Sequence, residues 1–291
     1  MCGFVHGTWL GRLEPRCVAL RRAIPQIGAM TADRRPIGLS SAEIHLWLSG
    51  DQVDSETAAR CRSLLSFDER QREARFVFEK DRARHLLTRT LVRQVLSRYA
   101  AVEPADWVFS TNPYGRPEVD AAMTQGRDLC FNVSHTAGLI VLGVTKGRAL
   151  GVDVERPQPL ADLRGMAEYA FTPAEVAELA GLREELRLDR FFQHWTLKEA
   201  YIKARGMGVS IPLQDFGVGL AQDGLARLDI APKLSDQSGR WQLWQARPSP
   251  GHLLAICAER VQHLSPTIVA RRVVVFDRDE IIPLQFDRIS P

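Results

Sequence analysis

The chain has 291 residues, 45% of them hydrophobic and 25% charged, with a formal net charge of +3. That composition fits a globular protein of one to two domains. No apolar run approaches the ~20 residues that cross a bilayer. The five cysteines are scattered and lack C-x-x-C spacing, which argues against a zinc site or a disulfide framework and for a reducing, cytoplasmic compartment.

Residues 1–40 contain Gly, Pro and Arg clusters without sustained periodicity. They are expected as a poorly ordered extension with no chemical role, Met30 being an alternative start. Order is expected from Glu43 to Leu48, an alternating segment typical of a half-buried strand. A helix is expected after Asp54, and Ser66-Phe67-Asp68-Glu69 has the form of a capped helix start. From Arg82 to Tyr99, Leu86, Leu87, Leu91, Val92, Val95 and Leu96 recur at helical spacing, which predicts a long amphipathic helix. Between Arg60 and Arg98, eleven Lys and Arg stand against five Asp and Glu, a basic surface suited to an anionic partner. A solvated helix face accounts for the same charges equally well. Aromatic residues are not interleaved with them in a nucleic-acid-reading pattern, so no nucleic-acid partner is expected.

Asn112 to Pro117 reads as a turn. Leu139 to Val144 and Ala149 to Val154 are strand-like, and Lys146-Gly147 between them predicts a hairpin. Helices dominate from Pro159 to Arg205, and Gly206 is a natural C-cap. Ile211 to Leu220 and Trp241 to Cys257 return to strand character. The pattern is an α+β arrangement that repeats in kind without an internal sequence repeat. It divides into a basic half at 41–147, a second half at 148–262 and a C-terminal tail at 263–291.

Three constellations could carry chemistry. In Gly151-Val152-Asp153-Val154-Glu155, alternation puts Asp153 and Glu155 on one face of a strand. Two adjacent carboxylates repel unless a cation lies between them, and hard oxygen ligands suit magnesium. Two solvated acids on an exposed strand are the bland alternative. In Phe191 to Lys203, Phe192, Trp195 and Ile202 form an apolar helical stripe, and Glu199 falls within it. A carboxylate there needs a partner: either Lys203 one turn on, or a metal shared with the strand acids. Phe131-Asn132-Val133-Ser134-His135-Thr136 lacks the G-x-S-x-G turn of a nucleophilic serine, and neighbouring strand side chains diverge. It suits phosphate contact, or a structural histidine.

Together these segments resemble the 4′-phosphopantetheinyl transferases of the surfactin-synthetase-activating class. The family's G-[IV]-D-[IV]-E strand is matched by Gly151 to Glu155. Its W-x-x-K-E-A-x-x-K-x-x-G run is matched by Trp195, Lys198, Glu199, Ala200, Lys203 and Gly206. Its F-N-[ILV]-S-H element is matched by Phe131 to His135, and its G-[KR]-P turn by Gly115 to Pro117. The resemblance implies a pseudo-twofold α+β fold of two similar halves with coenzyme A in the cleft between them. It also implies a monomer acting on an apo acyl or peptidyl carrier protein, with no membrane partner.

The resemblance assigns Asp153, Glu155 and Glu199 to magnesium, with manganese able to substitute. It places Arg72, His85, Arg116, Ser134, His135 and Asp153 on the coenzyme A phosphates and nucleotide. Lys203 would bind the departing phosphate, and Glu199 or Glu175 would serve the attacking serine, Glu175 by holding a water. Glu69 departs from the family, a member of which has a basic residue there. Arg72 and Arg116 replace lysine, keeping charge but not geometry. A magnesium-dependent phosphohydrolase and a non-catalytic basic binding module are the competing readings; neither explains the Trp195-to-Gly206 run.

Overall fold

The computed structural model describes residues 37–124, 128–261 and 265–291, so residues 1–36 of the expected extension lie outside it. In chain order the first half comprises β1 (Glu43–Ser49), α1 (Ser55–Leu64), α2 (Phe67–Glu73), α3 (Glu79–Leu96), β2 (Phe109–Thr111), β3 (Pro117–Val119), β4 (Leu129–Thr136) and β5 (Leu139–Lys146). The second comprises β6 (Leu150–Glu155), α4 (Leu163–Ala170), α5 (Pro173–Gly181), α6 (Glu184–Arg205), β7 (Phe216–Leu220), β8 (Ala226–Ile230), β9 (Trp241–Ser249) and β10 (His252–Glu259). Each half is a strand, two short helices, a long helix, a two-stranded ribbon and a strand pair. The sheets match as well, with orders β1-β5-β4 and β6-β10-β9. The expected pseudo-twofold α+β architecture is the one observed.

Alternation along the strands explains the layering. On β1, Ile44, Leu46 and Leu48 face the second sheet, while Trp47 faces α3. Leu86, Leu91 and Val95 of α3 cover the outer face of the first sheet. Val152, Val154, Trp244 and Ile256 meet Ile44, Leu46 and Val141 in an apolar layer between the sheets. Leu197, Ala200 and Tyr201 of α6 cover the outer face of the second sheet. The order is helix, sheet, sheet, helix, and each fully buried Leu, Ile or Val contributes about 1.5–3 kcal/mol.

Local signals set the helix ends. Asp54 accepts from the Thr57 N–H at the start of α1, and Ser66 with Glu69 forms a capping box on α2. At the end of α6, Gly206 takes φ 67°, the left-handed conformation that favours glycine.

Two expectations are corrected. Leu139–Lys146 and Leu150–Glu155 are not a hairpin, because β1 and β4 occupy both edges of β5, and β6 pairs with β10 in the other sheet. Strand β5 instead pairs with β4, which is the Phe131–Thr136 segment itself. Residues of the expected C-terminal tail form three strands: β11 (Thr267–Val274), β12 (Arg278–Ile282) and β13 (Phe286–Ile289). Strand β11 pairs in parallel with β1, β12 pairs with β11, and β13 pairs with β9. Among the described residues, no helix is long and apolar enough to cross a membrane. Cys61, Cys130 and Cys257 are free.

Candidate active site

The site begins with a close approach. A Cβ on Gly151 would lie 2.0 Å from Ala200 O and 2.4 Å from Ala204 N, so only glycine lets β6 rest on α6. With Gly151 against the helix, Asp153 and Glu155 face the same way, and Val152 and Val154 go to the inter-sheet layer. Helix α6 presents Glu199 and Lys203 one turn apart. Lys203 Nζ donates to Asp153 Oδ1 at 2.6 Å and to Ser134 Oγ at 3.0 Å; Ser134 Oγ donates to Asp153 Oδ1 at 3.1 Å. Strand, helix and first-half strand β4 therefore meet at one carboxylate oxygen.

Charge is concentrated there. Burial raises the Glu155 carboxyl, and Asp153 and then Glu199 add to the rise, while the Trp195 side chain opposes it with a hydrogen bond. Burial followed by Asp153 raises Glu199 as well. Burial alone would lower Lys203, but Asp153, then Glu199, hold it above the usual lysine range. Among the described residues, no three His, Cys, Asp or Glu side chains converge closely enough to form a ready metal site. The ammonium of Lys203 is the cation seated among the acids. The donor set still suits a hard divalent cation: Asp153 raises the carboxyls of Glu155 and Glu199, and Asp153 Oδ2 is buried without a hydrogen-bond partner.

The facing wall is cationic and comes from the first half. Ser134 and His135 diverge, as strand neighbours must: Ser134 turns to Asp153, and His135 turns to the start of α3. Cleft walls crowd the His135 imidazole, and Arg84 and Lys203 then hold it below its usual range. The ring still reaches solvent at the cleft mouth. Arg84 is braced by Asp51 at 3.1 Å, which also accepts from the Gly138 N–H. Burial and then Arg89 hold His85 low too; its ring packs on Phe76. Arg72 is half-buried and close enough to depress Arg89. An acid wall with a lysine therefore lies beside a wall of arginines and histidines.

Comparison with known proteins agrees. The model described as "4'-phosphopantetheinyl transferase superfamily" matches residues 149–257, and "4'-phosphopantetheinyl transferase, N-terminal" matches residues 53–146. The chain is 33% identical over 219 residues to 4′-phosphopantetheinyl transferase HetI of Nostoc sp., covering 75% of this chain and 88% of HetI. It is 31% identical over 206 residues to 4′-phosphopantetheinyl transferase Sfp of Bacillus subtilis, covering 71% and 87%. A phosphopantetheinyl transferase of Thraustochytrium sp. is 31% identical over 204 residues, covering 65% and 70%.

The chain belongs to the 4′-phosphopantetheinyl transferase superfamily. Its reaction is the family's: transfer of phosphopantetheine from coenzyme A to a carrier-protein serine.

Within this transferase, Arg116 and Glu175 are held against the scaffold around α6. Arg116 Nη1 donates to Lys203 O and Ala204 O at 3.2 and 3.3 Å, and Asn112 Nδ2 donates to Gly206 O at 2.7 Å. The turn thus caps the negative end of α6. Glu175 is the third residue of a capping box on α5. Its carboxylate accepts from Thr172 N and Val218 N, each at 2.7 Å, and from Lys198 Nζ at 2.8 Å, and it is buried. The His194 ring 3.5 Å away and the Lys198 ammonium overcome burial and hold it at about 2. The carboxylate is thus ionised at neutral pH and held by donors from α5, α6 and β7.

The first half repeats this device. Glu69 is the third residue of the α2 capping box, and its buried carboxylate pairs with Arg89 at 2.6 Å and Arg93 at 2.8 Å on α3. The departure at Glu69 is therefore internal to the half and leaves the cleft cationic. Sequence reasoning missed this use of Lys198 and the bond from Trp195 to Glu155. The paired S/T-x-x-E signatures ahead of each long helix were the available signal.

Proposed function

We propose that Asp153, Glu155 and Glu199 together hold one magnesium ion, with manganese able to substitute. When bound, that ion would neutralise charge on the coenzyme A pyrophosphate. His135, His85, Arg84 and Arg72 line the wall that would take the phosphates and the nucleotide. His135, neutral, can donate one hydrogen bond without adding charge.

In the reaction, the carrier serine oxygen forms a bond to the β-phosphorus bearing pantetheine, and the bond from that phosphorus to the bridging oxygen breaks. Electrons leave with adenosine 3′,5′-bisphosphate. Lys203, kept charged by its acidic neighbours, donates a hydrogen bond to the departing phosphate. Glu199 takes the serine proton, because Asp153 is committed to Lys203 and Ser134, and Glu155 to Trp195. Glu175 and Arg116 act on α6 and not on the substrate.

The observation that carries this reading is the Lys203 ammonium set between Asp153 of one half and Ser134 of the other. The partner is an apo acyl or peptidyl carrier domain, and the working unit is a monomer, since both halves of the cleft lie in one chain. A cytoplasmic setting fits the free thiols. The test is mass spectrometry of a panel of apo carriers incubated with the protein, coenzyme A and magnesium. One carrier should gain the mass of a single phosphopantetheine arm, and only with the metal present. Transfer at full rate in chelator would remove the metal assignment.

A further inference from the structure

Strand β6 carries two of the acids yet lies at the edge of its sheet, paired on one side with β10. On the other side, the N–H groups of Val152, Val154 and Arg156 point toward the first half. Each is met by a side chain of β4. Val152 N–H donates to Asn132 Oδ1 at 2.8 Å, Val154 N–H to Ser134 Oγ at 3.3 Å, and Arg156 N–H to Thr136 Oγ1 at 3.3 Å. Acceptors and donors both recur at every second residue, so they stay in step along the two strands. The approach needs Gly143, which pairs with Asn132: a Cβ there would come within 2.6 Å of Leu150 Cδ2 and 3.0 Å of Val152 Cγ1.

We propose that Asn132, with Thr136 at the far rung, is a positioning residue for phosphopantetheine transfer. The three side chains replace a missing neighbour strand and fix the register in which β6 presents Asp153 and Glu155 to α6. A slip of one residue would turn both carboxylates into the apolar layer and bring Val152 and Val154 to Lys203. Ser134 links the ladder to the chemistry, because its Oγ also donates to Asp153 and accepts from Lys203. One hydroxyl offers one donor and two acceptor positions, and all three are used. A phosphate could reach this oxygen only by displacing a partner. The inference rests on the site reading given under Proposed function.

The test uses the full chain and three measurements, each made well below the unfolding midpoint. These are transfer kinetics with coenzyme A and carrier, Mn2+ titration by water-proton relaxation, and amide hydrogen exchange. Asn132→Ala removes an acceptor, whereas Asn132→Asp keeps an oxygen in its place. Asn132→Ala should lower kcat and Mn2+ affinity about tenfold or more, leave KM for coenzyme A little changed, and speed exchange at the Val152 N–H. Asn132→Asp should recover most of the loss.

A lower unfolding midpoint with unchanged kcat and Mn2+ affinity would overturn the proposal. So would an Asn132→Asp protein as impaired as Asn132→Ala. If Asn132→Ala does not fold, Thr136→Val removes the last rung at equal volume. It should give a smaller loss of kcat with faster exchange at Arg156; faster exchange without a kinetic change overturns the proposal. Failure of the wild-type chain to modify any carrier would fall on the site reading alone, because exchange at Val152 and Arg156 still reports whether the ladder holds β6.

Discussion

Lys203 Nζ lies 2.6 Å from Asp153 Oδ1, joining the long helix of the second half to its acidic strand. Lys203→Met removes the one ammonium among three carboxylates. Steady-state carrier modification should fall about 10²-fold or more, the size expected when a preorganised donor to a developing charge is lost. Lys203→Arg should recover only part, since a guanidinium keeps the charge but not the reach or shape. Equal rates for both variants and wild type would exclude Lys203 from the reaction.

The acids oppose one another in the absence of a divalent cation. Glu199→Gln should therefore abolish transfer while stabilising the metal-free protein by about 0.5–2 kcal/mol, as removal of functional strain commonly does. Thermal unfolding in chelator reads this directly. A lowered unfolding midpoint would mean that the Glu199 charge is needed for folding.

The buried Glu175 gives the protein an acid limit. Its carboxyl sits at about 2 in the folded chain against an ordinary 4.5. A group depressed on folding contributes its full stability above the unfolded value and loses it as pH falls from about 4.5 through 2. The difference corresponds to about 3 kcal/mol. Urea unfolding at pH 7 and pH 3.5 should show somewhat less than half of that loss in the wild type, the remainder going as pH falls toward 2, and a flatter profile in Glu175→Gln. At pH 7 the variant should already be less stable by about 3–5 kcal/mol, because Lys198 is left buried and unpaired.

His194, fully buried between Glu175 and Glu178, titrates in the opposite sense. Burial would lower it, but the Glu175 carboxylate 3.5 Å from Nδ1 and the Glu178 carboxylate, which accepts from Nε2 at 2.9 Å, hold it above the ordinary 6.5. Its contribution is complete below 6.5 and is lost as pH rises through the folded value. His194→Gln should therefore lose more stability at pH 6 than at pH 9, measured by the same unfolding experiment.

Arg116 is a cap in this fold. Arg116→Ala should cost about 1–3 kcal/mol through the lost bonds to the α6 carbonyls, with a smaller effect on KM for coenzyme A. A KM increase without a stability loss would return Arg116 to the nucleotide.

Much of the first half was legible because its signals are local. The alternation at Glu43–Leu48, the Ser66 capping box and the apolar spacing from Leu86 to Leu96 each depend on neighbours within a turn or a strand. Gly206 was legible for the same reason. The false hairpin at Leu139–Val154 arose because a short turn between two apolar runs does not reveal that both edges of β5 are already filled. The acids and Lys203 could be singled out from spacing, whereas the assignment of Ser134 between Asp153 and Val154 depends on contact between halves. Glu175 was only half legible: the Thr172-x-x-Glu175 spacing marks a capping box, but its buried partner Lys198, 23 positions on, is found only in the fold.

The parallel pairing of β11 with β1 joins the two ends of the described chain. On the ribosome, β1 emerges long before β11, the strand that covers its open edge. The second half can assemble its β6-β10-β9 core first, while the first half waits with an exposed ladder of backbone groups. A stop codon shortly before Thr267 would thus leave β1 with a bare edge, and β9 as well because β13 is lost with it, and its mark would be aggregation of nascent protein rather than a slower enzyme.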